Sequence, residues 1–345
     1  MPAKIIKVSD DAGANYYTLP GNTGEFSDEL GVLDDTVFGQ NFKSGQSGLI
    51  NWGVSANALY KGFAGYLVSI KKPGTGTAMT TEAHTLVSGK TYKISNATKN
   101  VWDRSGTFIV YDNGVDRTNT EVLNIDYLFG QVTFKSSYTV VGPVTVTGKY
   151  FPMTSLAKYR GFNLTMSQDP IENTDVPTAS ANSGHRTNGY GLKTVSLDVN
   201  GVYATANGYR ADLVARTELM IEIDPGNALK ALCRGFFKPA GRNQSGRVGA
   251  LEEESVSFVL SVPDVTLMKT PFRWEFSATT DISTAVRKCI EAWQNETTMR
   301  WQYLWDGTTG FQGDGVITDV SLSGGLEAMN EFSASLAGSG IVTAI

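Results

Sequence analysis

A two-residue rhythm constrains this chain more than any other feature. Val54, Ala56 and Ala58 alternate with polar neighbours, as do Phe162, Leu164 and Met166, and Val195, Leu197 and Val199. Val256, Phe258 and Leu260, and Phe332, Ala334 and Leu336, repeat the pattern. Successive strand side chains point to opposite faces, so each set predicts a strand buried on one side. The helical period is convincing once. Ile282, Val286, Cys289 and Trp293 recur at spacings of four, three and four, with Arg287, Lys288 and Glu291 on other faces. This stripe predicts a helix over about 282–294, capped by Thr280 or Asp281 and packed on a sheet. Asp112-Asn113-Gly114 after Phe108–Tyr111 predicts a tight hairpin, and Ser323-Gly324-Gly325 is expected to separate two more strands.

The chain also echoes itself. Gly48, Leu49, Asn57 and Tyr60 return as Gly191, Leu192, Asn200 and Tyr203, each 143 positions later. Trp52/Val195, Val54/Leu197, Ala56/Val199 and Leu59/Val202 keep their apolar character between them. Chance likeness between two strands is one account; duplication explains the preserved alternation better. It predicts two similar β domains, 1–160 and 161–345, joined near Phe151–Phe162, the second carrying the helix. Residues from about 72 to 152 add further strands, expected at Thr107–Tyr111, Val122–Phe134 and Val144–Tyr150.

Composition narrows the function. Charged residues make up 18% of the 345 residues, below the roughly one quarter usual in soluble domains. Either neighbouring subunits cover much of the surface, or the exterior is bland and polar. The net charge of −5, with no Lys/Arg cluster, disfavours gripping a phosphate backbone. Cys233 and Cys289 lack any CxxC or His partner, so buried free thiols are expected. No signal-peptide core and no apolar run long enough for a membrane helix is present, which points to synthesis in the cytoplasm.

No set of residues converges on catalysis. His84 and His185 are far apart in polar segments, without the neighbours a metal or nucleophile site needs. Gly74-Thr75-Gly76-Thr77 lacks the Lys-Ser/Thr ending of a phosphate loop. Glu252-Glu253-Glu254 is expected in a solvated turn or a charged interface loop. Trp301, Tyr303 and Trp305 alternate, as one packed or interface face of a strand would, although a sugar-binding platform is an alternative. The expectation is no catalytic residue, no metal and no cofactor.

Three stretches carry a resemblance. They are Asp34–Gly39 running into Gly48–Ser55; Asn173–Val176 running on to Tyr203; and Gly315–Gly325 followed by Phe332-Ser333-Ala334-Ser335-Leu336-Ala337-Gly338-Ser339-Gly340. Together they cover about a third of the chain and resemble the major tail tube proteins of long-tailed, siphovirus-type bacteriophages. The resemblance implies a mainly β fold: tandem β-sandwich or partial-barrel domains with one flanking helix. Such domains assemble edge to edge into a continuous β-barrel ring around a channel. Six domains would line each ring, supplied by three duplicated chains or by six chains. The implied partners are further copies of the chain, tape-measure and tail-terminator proteins, and double-stranded DNA that passes without specific binding. The implied location is the virion tail. Pro20–Gly48 and Gln168–Gly191 would be arms reaching neighbouring subunits. Ser55, Asn57, Asp198 and Asn200, the polar members of the echoed strands, are the candidate channel-facing residues. Alternative readings are another multimeric β virion protein (tail terminator, decoration or fibre subunit) or a carbohydrate-binding β protein.

Overall fold

The computed structural model describes residues 4–21, 23–34, 45–59, 65–183, 185–205, 208–224, 232–245, 253–261, 271–276, 282–326 and 330–345. It is mainly β, as the alternation requires. The chain opens with β1 (Ile5–Ser9), β2 (Tyr17–Thr18), β3 (Thr23–Asp34), β4 (Gly45–Leu59) and β5 (Leu67–Pro73). A separate seven-stranded sheet follows: β6 (Thr77–Ser88), β7 (Thr91–Ile94), β8 (Ile109–Asp112), β9 (Val115–Asp116), β10 (Val122–Asp126), β11 (Gln131–Phe134) and β12 (Val144–Tyr150). Then come β13 (Met153–Glu172), α1 (Val176–Ala181), β14 (Asn188–Thr205), α2 (Tyr209–Val214), β15 (Leu219–Asp224), β16 (Leu232–Ser245), β17 (Glu253–Leu260) and β18 (Phe272–Glu275). The last elements are α3 (Thr284–Asn295), β19 (Met299–Leu304), β20 (Gly310–Gly325), β21 (Glu331–Gly338) and β22 (Thr343–Ala344).

The remaining fifteen strands form one curled antiparallel sheet. Its spine runs β3–β4–β21–β20–β13–β14–β17–β16. β19, β1 and β2 continue from β20, while β15 and β5 lead from β16 back to β13 and close a small barrel. One face of the spine enters the main core through Val54, Leu164, Leu197, Phe258, Leu322 and Phe332. Each such side chain contributes about 1.5–3 kcal/mol through burial. α3 lays Val286, Cys289, Ile290 and Trp293 into the same core. Its cap is Ser283, whose hydroxyl accepts from Val286 N; the expected caps Thr280 and Asp281 lie outside the described residues. Cys233 and Cys289 are free and buried.

Two sets of strands repeat the same pairings. In the hairpin β20–β21, Ile317 pairs with Leu336, a bulge follows, and Asp319 pairs with Ser335 and Ser321 with Ser333. In β16–β17 the same pairs occur 78 positions earlier: Pro239 with Phe258, a bulge, Gly241 with Ser257, and Asn243 with Ser255. β3–β4 and β13–β14 agree likewise, from Thr23–Asn57 against Gly161–Asn200 to Asp34–Gly45 against Glu172–Asn188. β1–β19 matches β5–β15, as Ile6–Tyr303 against Val68–Ile223 shows. In both sets the helix, α3 or α2, immediately precedes the strand pair β19–β20 or β15–β16. The division at 160/161 expected from the sequence falls inside β13, whose pairing with β14 continues from Ala157 to Glu172. Along the chain the second set lies between β4 and α3 of the first.

The bulges explain the echoed Gly-Leu. In β3–β4 the register jumps between Leu30–Ile50 and Val32–Ser47, leaving Gly48 and Leu49 unpaired. In β13–β14 it jumps between Gln168–Lys193 and Pro170–Tyr190, leaving Gly191 and Leu192. A Cβ at Gly191 would lie 2.2 Å from the Asp169 carbonyl oxygen, and one at Gly48 would lie 2.9 Å from that of Gly31. Backbone on the facing strand therefore excludes any side chain, and the bulge fixes the register.

Several expected elements shift. Val122–Phe134 is two strands, because Tyr127–Gly130 turns the chain and Gly130 takes φ 60°. The Asn113-Gly114 turn is present, with both residues at positive φ between β8 and β9. Ser323–Gly325 is no turn; it pairs with Asn163, Phe162 and Gly161. Much of the expected arms, Pro20–Gly48 and Gln168–Gly191, is ordered as paired hairpin strand.

The seven-stranded sheet has its own core around Trp102, Val110, Val132 and Val146. It docks through Leu128 and Phe129 against Met220 and Phe236. Arg234 crosses this contact, donating through Nε to Glu222 Oε1 at 2.8 Å and through Nη1 to Leu128 O at 2.9 Å. Glu222 also holds Lys71.

Gly191→Ala is expected to lower stability by about 1–3 kcal/mol, the cost of forcing a methyl group into a filled space. The urea midpoint measures it. Glu222→Gln, which leaves Arg234 buried without its counter-ion, is expected to cost roughly 3 kcal/mol in the same assay.

Candidate functional site

The spine has a second face, polar along nearly its whole width, with the exposed Val259 of β17 lying between Ser196 and Lys238. On β3 it carries Thr23, Glu25, Ser27 and Glu29, and on β4 Asn51, Ser55 and Asn57. β21 contributes Ser333 and Ser335, and β20 contributes Asp319, Ser321 and Ser323. β13 and β14 add Asn163, Thr165, Ser167, Thr194, Ser196, Asp198 and Asn200. β17 and β16 complete it with Ser255, Ser257 and Asn243. These residues alternate with the buried ones, so the rhythm that builds the core also builds this face.

The four residues expected from the sequence all lie on it. Asn57, Asp198 and Asn200 are exposed and Ser55 is half-buried. Ser55 and Asn57 face Ser335 and Ser333 across one strand boundary, and Glu25 and Thr23 across the other. Asp198 accepts a hydrogen bond from Ser257 Oγ. Asn57 and Asn200 line one shallow concavity of about 590 Å³, together with Asn163, Ser321, Ser333 and Glu331. The pair match of the two strand sets makes Ser55 the counterpart of Asp198, and Asn57 that of Asn200.

The charge on this face is mostly negative. Glu25, Glu29, Asp198, Asp319 and Glu331 stand against Lys238 among the described residues. Sequence reasoning missed Glu25 and Glu29. On the other side of their strand Gly24 and Asp28 interrupt the apolar Phe26 and Leu30, so the alternation is broken in the sequence.

Other expected candidates resolve into structure. Glu254 is buried: Arg242 donates to its Oε1, and the Tyr159 hydroxyl donates to its Oε2 at 3.2 Å. It therefore anchors the inside of a barrel. Tyr159 and Tyr209 share a hydrogen bond of 2.9 Å, and burial pushes both phenols far up. Trp301 and Tyr303 are buried, leaving only Trp305 of that trio substantially exposed. His84 is buried against Trp102, and burial lowers it to about 4. Among the described residues no group of three or more His, Cys, Asp or Glu could hold a metal ion. No helix among them is long and apolar enough to cross a membrane.

No family model and no curated protein matches the chain. Among solved structures, it is similar in part to a chain from the tail of an empty GTA particle, computed with helical refinement in C6 symmetry. Identity there is 14%, the TM-score is 0.28, and the match covers 37% of this chain and 87% of that one. A chain from the virion of a native gene transfer agent particle gives 12% identity and a TM-score of 0.28, covering 36% of this chain and 88% of that one. At these values neither likeness assigns a function.

One carboxylate on the polar face allows a pH test. Burial raises the Asp319 carboxyl above its ordinary value; the Thr318 hydroxyl opposes the shift and Asp169 adds to it. The folded protein thus holds this proton more tightly than the unfolded chain. Ionisation works against folding: the penalty is absent below the ordinary carboxylate value and complete above the raised one. Asp319→Asn is expected to raise the thermal midpoint at pH 7 and to leave it unchanged at pH 3.

Proposed function

We propose that the chain is a structural virion subunit whose curled sheet forms part of the wall of a phage tail tube, a conduit for DNA ejection. The observation that carries this reading is the continuous polar face of the spine, rich in Ser, Thr and Asn and net acidic. A wall past which DNA must slide should not grip phosphates. Short hydroxyl and amide side chains offer no cation, and carboxylates repel the polymer over about a Debye length, roughly 8 Å at physiological salt. Ser55, Asn57, Asp198 and Asn200 would face the channel.

The resemblance to tail tube proteins of Asp34–Gly39 running into Gly48–Ser55, of Asn173–Tyr203, and of Gly315–Gly325 followed by Phe332–Gly340 supports the same reading. Each chain would supply two ring-building units, so a ring of six units would need three chains. Stacked rings, closed by terminator proteins and filled by a tape-measure protein before ejection, would complete the tail. No cofactor and no catalytic step belong to this function.

Negative-stain microscopy of the purified protein, with native mass spectrometry of the smallest ring, tests the proposal. The expected outcome is rings or tubes with a central hole, three chains to a ring. A monomer at every concentration would overturn it, and solid fibres or discrete knobs would favour a fibre or decoration subunit.

A further inference from the structure

We infer that two copies of this chain join by adding β3 of one to the open edge of β16 of the other, in a register that the chain already displays internally. The inference rests on the assembly proposed above and specifies its contact.

The template is the seam between the two strand sets. There β20 pairs with β13 from Asp319–Ser167 through Val320–Met166 and Ser321–Thr165 to Gly325–Gly161. β16 matches β20, and β3 matches β13, pair for pair and bulge for bulge. Yet the equivalent edges are open. Beyond Phe237, where β15 ends, the side of β16 facing away from β17 meets no strand at Lys238–Asn243 among the described residues. The side of β3 facing away from β4 meets none at Glu25–Glu29 among them. One spine therefore ends in a β13-like donor edge and, at its other end, in a β20-like acceptor edge.

Transferring the seam places Glu29 opposite Gly241, Asp28 opposite Arg242, and Ser27 opposite Asn243. Across the internal seam Ser321 Oγ reaches Thr165 Oγ1 at 3.4 Å, where Ser27 and Asn243 would meet. Asp28 would lie opposite Arg242, whose guanidinium already binds Glu254 and Gln244 within its own chain. Exposed strand edges are ordinarily blunted by proline, lysine or a covering loop. Thr23–Leu30 contains neither proline nor lysine, and on the other edge Lys238 and Pro239 stand just before Gly241, where the transferred register begins. Because donor and acceptor are different surfaces, the contact is head-to-tail, and it closes into a ring when its rotation permits.

The test mixes Ser27→Cys and Asn243→Cys chains under mild oxidation. Directly opposed residues in an antiparallel pair have Cβ atoms about 4.5–5.5 Å apart, within reach of a disulfide once the strands adjust. Both positions are exposed, and the native Cys233 and Cys289 are buried away from exchange. A disulfide-linked heterodimer is expected on a non-reducing gel. The control, Asp28→Cys with Asn243→Cys, should give at most a tenth as much, since neighbouring strand residues point to opposite faces. Equal cross-linking in the control, or homodimers alone, would overturn the register. Microscopy of the same samples separates the two claims. Assembled rings without the heterodimer would sink the contact and leave the tube reading intact, whereas monomers without it would sink both.

Discussion

Backbone pairing between β20 and β13 is the interaction on which the rest of the spine depends. It joins two curled strand sets into one sheet, so that a single polar face runs from β3 to β16. Every amide and carbonyl at that seam needs a partner, and the facing strand supplies it in a register that tolerates no slip. A shift of β13 by one residue against β20 would send Leu164 to the polar side and put Asn163 in the core beside Leu322. The bulges at Gly48 and Gly191 hold each hairpin against such a shift, because no side chain fits where the facing backbone approaches.

The part of this architecture legible in the sequence was the part governed by alternation. Val54, Leu164, Leu197, Phe258 and Leu336 announced their buried sides, and the stripe ending at Trp293 announced α3. The strand Val144–Tyr150 and the Asn113-Gly114 turn were also readable, since each is set by neighbours in sequence. The nesting of the strand sets was not. It depends on which strands pair across long distances, and β4 with β21 carries no local signature. β3 was obscure for another reason: Gly24 and Asp28 break the apolar run of Phe26 and Leu30 on one side of it. Of the polar face, the sequence yielded the residues beside the echoed strands. It gave no sign of Glu25 and Glu29, nor that Glu254 would turn inward to meet Arg242.

The seven-stranded sheet shows how a large insertion can leave a scaffold undisturbed. It leaves the main sheet after β5 and returns at β13, where Gly74 N donates to Pro152 O at 2.8 Å and Pro73 pairs with Met153. Its ends are thus already together, and the loop-closure cost of its length is small. Two ion pairs, Arg273 with the buried Asp126 at 2.7 Å and the partly exposed Lys93 with Glu275 at 2.8 Å, position it against β18. The partly exposed Lys93–Glu275 pair adds little stability, and the apolar cluster that holds Leu128, Phe129, Met220 and Phe236 carries more of the docking.

The nested order also sets a timetable. During synthesis from the N-terminus, β3 and β4 emerge early, but β4 cannot be covered until β21 exists, because Leu59 pairs with Glu331. The inner set, from β5 to β18, has all its strands before α3 begins. One set can therefore mature on the ribosome while the other waits as a bare hairpin. The outer set is finished only when nearly all of these residues have been made, so a truncated chain would lack β20 and β21 and could not join its two sets.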